Sequence, residues 1–266
     1  MNLRAGLESE NRRLLEELHR RTTGPFTVAD AREILRLSIT RTQRFLAYMA
    51  SRGWLARIRR GLYTTVPLGA TEPADWRVDP WLVAASTFAP CYIGGWTALE
   101  HWDLTDQLFR DVVVVTARKV RRRDRLIQGV RYRLKHRSEE LLFGMQPIWR
   151  NHNKIDTSNP ERTLVDVLDD PALGAGIRHV ADCLATYFEG DPRPELLVGY
   201  ADRLGNRAVF KRLGHLLEAL EVPDAESIAA CRARISKGLS PLDPTIDHKG
   251  RILKRWNLRV NVDIRK

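Results

Sequence analysis

The sequence predicts an α+β fold in two parts: a small helical unit closed by a β-hairpin, then a larger mixed α/β domain. Three observations predict it. Helical periodicity followed by two alternating strands fills the first stretch of the chain. The composition then shifts at Val66-Pro67-Leu68-Gly69-Ala70-Thr71-Glu72-Pro73, whose prolines and glycine suit a linker. Beyond it, short β-branched runs give way to a succession of amphipathic helices and a last alternating segment. The expected division is therefore 1–70 and 71–266.

Leu7 to Arg21 carries Leu7, Leu14, Leu15 and Leu18 at helical spacing. Thr22-Thr23-Gly24-Pro25 ends that helix. Thr27 caps a short second helix, Val28 to Leu35, with Asp30 in its first turn. A turn through Arg36-Leu37-Ser38 leads to a third helix, Ile39 to Arg52, closed by Gly53 in a C-cap position. Trp54 to Ile58 and Leu62 to Val66 alternate as strands, with Arg59-Arg60-Gly61 as the hairpin turn between them. Helix, helix, turn, helix and hairpin in this order make a winged helix-turn-helix.

At about 100° per residue, Ile39, Leu46, Met49 and Ala50 fall on one face of the third helix. Arg41, Arg44, Tyr48 and Arg52 fall on the other. One stripe is expected to pack on the unit and the other to face outward. Ser38, Thr40 and Thr42 lie at the helix start, where free backbone N–H groups meet phosphate readily. Short polar and Arg side chains near a helix N-terminus suit base edges in a major groove. Arg57, Arg59 and Arg60 on the hairpin suit the neighbouring DNA backbone or minor groove. A solvated basic surface and a winged helix that binds only protein are the bland alternatives.

Charge supports the nucleic-acid reading. The 266 residues carry a formal net charge of +11. Residues 1–70 hold 13 Arg, no Lys and six acids. Guanidinium can bind a phosphate or a guanine edge bidentately, through a rigid planar fork of donors.

In the second part, Asp79-Pro80 opens a helix, Tyr92-Ile93-Gly94-Gly95 reads as a strand end and Trp96 to Trp102 as a short helix. Val112 to Val115 is a buried strand and Val130 to Leu134 a second. Ser158-Asn159-Pro160-Glu161 starts the helix Arg162 to Leu168. Helices follow over Ile177–Phe188, Pro194–Leu204, Arg207–Leu220 and Ala225–Ile235. Trp256 to Val262 alternates like a strand closing the sheet. Between the two early strands, Arg118, Lys119, Arg121, Arg122, Arg123 and Arg125 form a basic run, expected at an exposed hairpin tip. It reads equally as a second nucleic-acid contact and as a solubilising loop.

Catalytic patterns are wanting. The histidines are scattered, the three cysteines lie far apart, and neither pattern has metal-ligand spacing. Gly94-Gly95 lacks the remainder of a dinucleotide-binding fingerprint, and Ser86 and Ser158 sit in no nucleophile elbow. No catalytic residue, metal or cofactor is expected. No apolar run approaches the roughly 20 residues of a membrane span, and no signal-peptide pattern opens the chain. A reduced, cytoplasmic protein is the simplest expectation.

Several segments together carry a resemblance. Arg60-Gly61-Leu62-Tyr63 followed by Val66-Pro67 is one. Tyr92-Ile93-Gly94-Gly95-Trp96-Thr97-Ala98-Leu99 and Leu104-Thr105-Asp106-Gln107 are others. Thr157 to Asp166 and the tail Lys249-Gly250-Arg251, Arg255-Trp256-Asn257-Leu258 and Val260-Asn261 complete the set. In this order, behind a winged helix, they resemble the AbiEi antitoxins of type IV (AbiE-like) bacterial toxin–antitoxin systems. The resemblance implies a transcription repressor that binds inverted repeats in double-stranded operator DNA and autoregulates its operon. It further implies a second domain that counteracts a cognate nucleotidyltransferase-like toxin, without requiring a stable complex. The alternatives are a ligand-responsive winged-helix regulator and a DNA-tethered nuclease.

Overall fold

The computed structural model describes residues 7–67, 76–247 and 249–264. The proline-containing linker from Leu68 to Pro73 and the expected boundary at 70/71 lie outside the described residues. The chain forms helix α1 (Ser9–Arg21), strand β1 (Phe26–Thr27), α2 (Val28–Leu35), α3 (Ile39–Ser51) and the hairpin β2 (Leu55–Arg59) and β3 (Leu62–Thr65). After the undescribed stretch come α4 (Pro80–Phe88), β4 (Cys91–Ile93), α5 (Gly95–His101) and β5 (Val112–Thr116). Then follow β6 (Asp124–Ile127), β7 (Val130–His136), β8 (Met145–Arg150) and β9 (Asn153–Ser158). Four helices succeed them: α6 (Pro160–Asp169), α7 (Ile177–Glu189), α8 (Pro194–Leu204) and α9 (Arg207–Ala219). The described chain closes with α10 (Ala225–Arg234), β10 (Ser240–Pro241), β11 (Arg251–Leu253) and β12 (Leu258–Val260).

The architecture is the expected winged helix-turn-helix followed by a larger mixed α/β part. Local chemistry sets most helix starts. Thr27 and Asp30 form a reciprocal capping box on α2, and Ser38, Asp79 and Asn159 cap α3, α4 and α6. At the end of α3, Gly53 takes φ 75°. Its N–H bonds to the Ala50 carbonyl at 3.2 Å and that of Trp54 to the Met49 carbonyl at 3.0 Å. Only Gly makes this left-handed step without strain, and it turns the chain directly into the hairpin.

Three cores organise the molecule. In the first, Leu14, Leu15 and Leu18 of α1 meet Ala31, Leu35, Phe45, Leu46, Met49, Leu55 and Tyr63. In the second, Ile58 and Leu62 of the hairpin pack with Trp81, Leu82 and Phe88 of α4 and with Ile93, Val112, Val114, Tyr132 and Leu134 of the sheet. Strand alternation explains the split. Leu55 and Tyr63 face the helices, while Ile58 and Leu62 face the larger part. The hairpin is thus packed on both faces. The third core lies on the other side of the sheet, under α5 to α9, with Trp256 fully buried in it.

A six-stranded sheet, ordered β6-β7-β5-β4-β9-β8, forms the centre of the larger part. This corrects two expectations. The basic run is not a hairpin tip between adjacent strands. β5 and β7 pair in parallel, with Val112 opposite Tyr132, so the chain must cross over before β7 can form. Residues 117–123 make that crossover, and Arg125 lies within edge strand β6. The tight turn is at Gln128-Gly129, where both residues have positive φ. Nor does the C-terminal segment close the central sheet. β12 pairs with β10 and β11 in a separate three-stranded sheet.

Candidate nucleic-acid interface

α3 buries Thr42, Phe45, Leu46 and Met49. Ile39, assigned to the buried stripe from its angle, is 46% exposed. It lies in the first turn, where the helix has moved beyond the core, and Phe45 does the packing instead. The outward face presents Thr40, Arg41, Gln43, Arg44, Ala47 and Tyr48. Gln43 and Ala47 were missed by the sequence reading, although the helical angle places both off the buried stripe. An exposed Gln can pair bidentately with adenine, and an Ala methyl can meet the thymine methyl.

The expected site residues do not all stay available. Thr42 is fully buried, and its Oγ1 donates to the Ser38 carbonyl at 2.9 Å. It braces the first turn and cannot reach a base edge, which corrects its placement among the contacts. Ser38 accepts the Arg41 backbone N–H at 3.3 Å, and its own O–H remains a donor. Arg41 is held in an ion pair with Glu10 of α1 at 2.6 Å. Arg44 has no ion-pair partner among the described residues. The Arg52 guanidinium lies 5.7 Å from the Tyr48 ring centroid and is half-buried, so it stacks on Tyr48 rather than extending outward.

On the wing, Arg57, Arg59 and Arg60 are exposed. Gly61 closes the turn at φ 78°, and the strand register shifts between Arg57 and Arg59. The hairpin anchors through Ile58 and Leu62, so these cations ride on a rigid support. A second clasp joins the winged helix to the larger part. Asn153, beside the β8–β9 turn, donates to the Thr23 carbonyl at 2.9 Å and accepts from the Thr23 hydroxyl at 3.1 Å.

The basic run divides by role. Arg118 donates to the Ala89 carbonyl at 2.6 Å and the Thr87 carbonyl at 3.2 Å, at the C-terminal end of α4. That is a structural use, favoured by the negative end of the helix. Lys119, Arg121, Arg122, Arg123 and Arg125 are exposed. Among the described residues no group of three or more His, Cys, Asp or Glu could hold a metal ion, and no helix is long and apolar enough to cross a membrane.

Residues 13–66 match the family described as "Transcriptional regulator, AbiEi antitoxin". The match runs from within α1 to just past β3 and so covers the winged helix described above. Over its length the chain is similar to the crystal structure of the RV2827C protein from Mycobacterium tuberculosis, with a TM-score of 0.63 and 16% identity. That likeness covers 95% of this chain and 92% of the other, and at this identity it shows the fold alone. No curated protein matches the chain.

Proposed function

We propose that this chain is a DNA-binding transcription repressor and antitoxin, acting in the cytoplasm without catalysis of its own. Residues 1–70 bind inverted repeats in the operator of its own operon. Residues 71–266 counteract a nucleotidyltransferase-like toxin, with or without a stable complex. The observation that carries the DNA reading is the exposed face of α3, with Thr40, Gln43, Arg44 and Tyr48, beside a wing bearing Arg57, Arg59 and Arg60. Arg44 is the residue best suited to a guanine edge. Ser38 and the N-terminal N–H groups of α3 suit a phosphate, as do the wing arginines. The match over residues 13–66 to a family described as both regulator and antitoxin supports the pairing of the two roles.

Co-expression with the adjacent gene tests the antitoxin half. Growth arrest by the neighbour, relieved by the full chain and still relieved by its Arg44→Ala variant, is the expected result. Failure of the full chain to relieve arrest would remove the antitoxin role and leave the DNA-binding role standing.

A further inference from the structure

We propose that the groove between the wing and the outer edge of the six-stranded sheet binds the phosphate backbone of the duplex that α3 reads. This rests on the reading of α3 as a DNA-reading helix. The groove encloses about 550 Å³. Its walls include Ile58 and Arg59 on the wing, Thr87 and Phe88 at the end of α4, the crossover with β6, and Thr116 and Leu134 of the neighbouring strands β5 and β7. The crossover and β6 supply Arg118, Lys119, Arg121, Arg122 and Arg125. With Arg59 that makes six cations, and among the described residues no carboxylate lines the groove.

A solvated basic loop would not need a built interior, and this groove has one. Thr87 is 8% exposed, lines the groove, and its hydroxyl has no hydrogen-bond partner among the described residues. An unpartnered buried hydroxyl costs free energy, and a ligand acceptor would satisfy it. Arg118 is engaged by the Thr87 and Ala89 carbonyls, which fixes the wall beside that hydroxyl. Arg59, Lys119, Arg121, Arg122 and Arg125 remain to meet an anion.

The chemistry favours backbone over bases. Among the described residues Phe88 is the one aromatic residue lining the groove, and it is only 7% exposed. No ring there is open for a base to stack on, as single-strand binders require. A row of cations without stacking or a base-edge code suits phosphates. Arg59 belongs at once to the groove and to the hairpin bearing Arg57 and Arg60. A duplex gripped by that hairpin is therefore the polyanion at hand. The larger part of the molecule thereby shares in DNA binding and lengthens the footprint beyond that of the winged helix.

The test is the salt dependence of binding by the full chain. The probe is a duplex of about 30 bp from the region upstream of its own coding sequence, titrated between about 50 and 200 mM salt. The variants are Arg121→Ala/Arg122→Ala/Arg125→Ala together, and Arg59→Ala alone. Each lost phosphate contact flattens the log–log slope by about 0.9, so the triple variant is expected to lose between about 2 and 3 and Arg59→Ala about 1. Across that salt range the wild type then loses roughly 40-fold more affinity than the triple variant, while sequence preference is unchanged. An unchanged slope in the triple variant, with sequence-specific binding intact, overturns the groove assignment and leaves the recognition helix standing. Loss of binding to a single-stranded RNA with the duplex slope unchanged overturns it in favour of an RNA site. No duplex binding by the wild type overturns both readings.

Discussion

The ion pair between Glu10 and Arg41 makes a prediction in which the two partners act in opposite directions. Glu10 lies in the first turn of α1 and Arg41 on the outward face of α3. Their side chains are 60% and 55% exposed and the N···O distance is 2.6 Å. An exposed pair of this kind contributes about 0.2–1 kcal/mol. If Arg41 leaves Glu10 to meet a phosphate or a base, that interaction is a cost of binding. Glu10→Gln removes it and should tighten operator binding by about 1.4- to 5-fold, while lowering folding stability by no more than the same ~0.2–1 kcal/mol. It also removes a negative charge near the DNA, so the gain should shrink as salt rises. Arg41→Ala should instead weaken binding by about 1–3 kcal/mol, or roughly 5- to 150-fold. Fluorescence anisotropy with one labelled operator duplex, at low and moderate salt, measures both. Weaker binding by Glu10→Gln would mean the opposite, that Glu10 positions Arg41 for DNA rather than withholding it.

Three further outcomes follow from packing and titration. A Cβ at Gly214 would overlap the ring of fully buried Trp256, so Gly214→Ala should destabilise by about 1–3 kcal/mol. That exceeds the gain of up to about 1 kcal/mol from higher helix propensity, and thermal unfolding should show a lower Tm; an unchanged Tm would mean the ring moves freely. Burial lowers the pKa of His215 on α9 despite Glu218, with Arg251 adding to the lowering, and burial also lowers those of His19 and His101. The unfolded chain then binds more protons, so stability is full above about pH 6.5 and declines as pH falls below it. His215→Gln should flatten that decline in denaturant melts, and an identical pH profile would remove His215 from the account. Burial pushes the thiols of Cys183 and Cys231 up to about 12. Both should resist iodoacetamide at pH 8 until the protein unfolds, and rapid labelling of either one in the native state would contradict their burial.

What the sequence disclosed depended on how local the cause was. Caps at Thr27, Ser38, Asp79 and Asn159, and the Gly53 step, act within a few residues, and those helix boundaries were legible. Edge strands were not. β6 and β8 expose most of their side chains, so neither shows the alternation that marks a half-buried strand. β6 was further hidden by its arginine, since a charged edge strand reads as a loop. The parallel pairing of β5 with β7 is a non-local choice, and it moved the basic run from a tip to a groove wall. The separate sheet around β12 was likewise decided by partners distant in sequence. In the site, the charges were legible but their engagements were not. Glu10 lies 31 positions from Arg41, and Thr42 is withdrawn by a bond back to Ser38. Packing of the hairpin against α4 could not be inferred from the hairpin itself, where Ile58 and Leu62 look like any alternating apolar pair.

In the proposed complex α3 reads sequence while the wing holds backbone. Competition binding separates the two, with the operator duplex measured against a scrambled duplex for the wild type, Arg44→Ala and Arg57→Ala/Arg60→Ala. Arg44→Ala is expected to lose about 1–3 kcal/mol on the operator and almost nothing on the scrambled duplex. The wing variant is expected to weaken binding to both duplexes alike and to flatten their salt dependence by about 0.9 per contact. Equal losses on the two duplexes for Arg44→Ala would mean that α3 holds backbone and does not read bases.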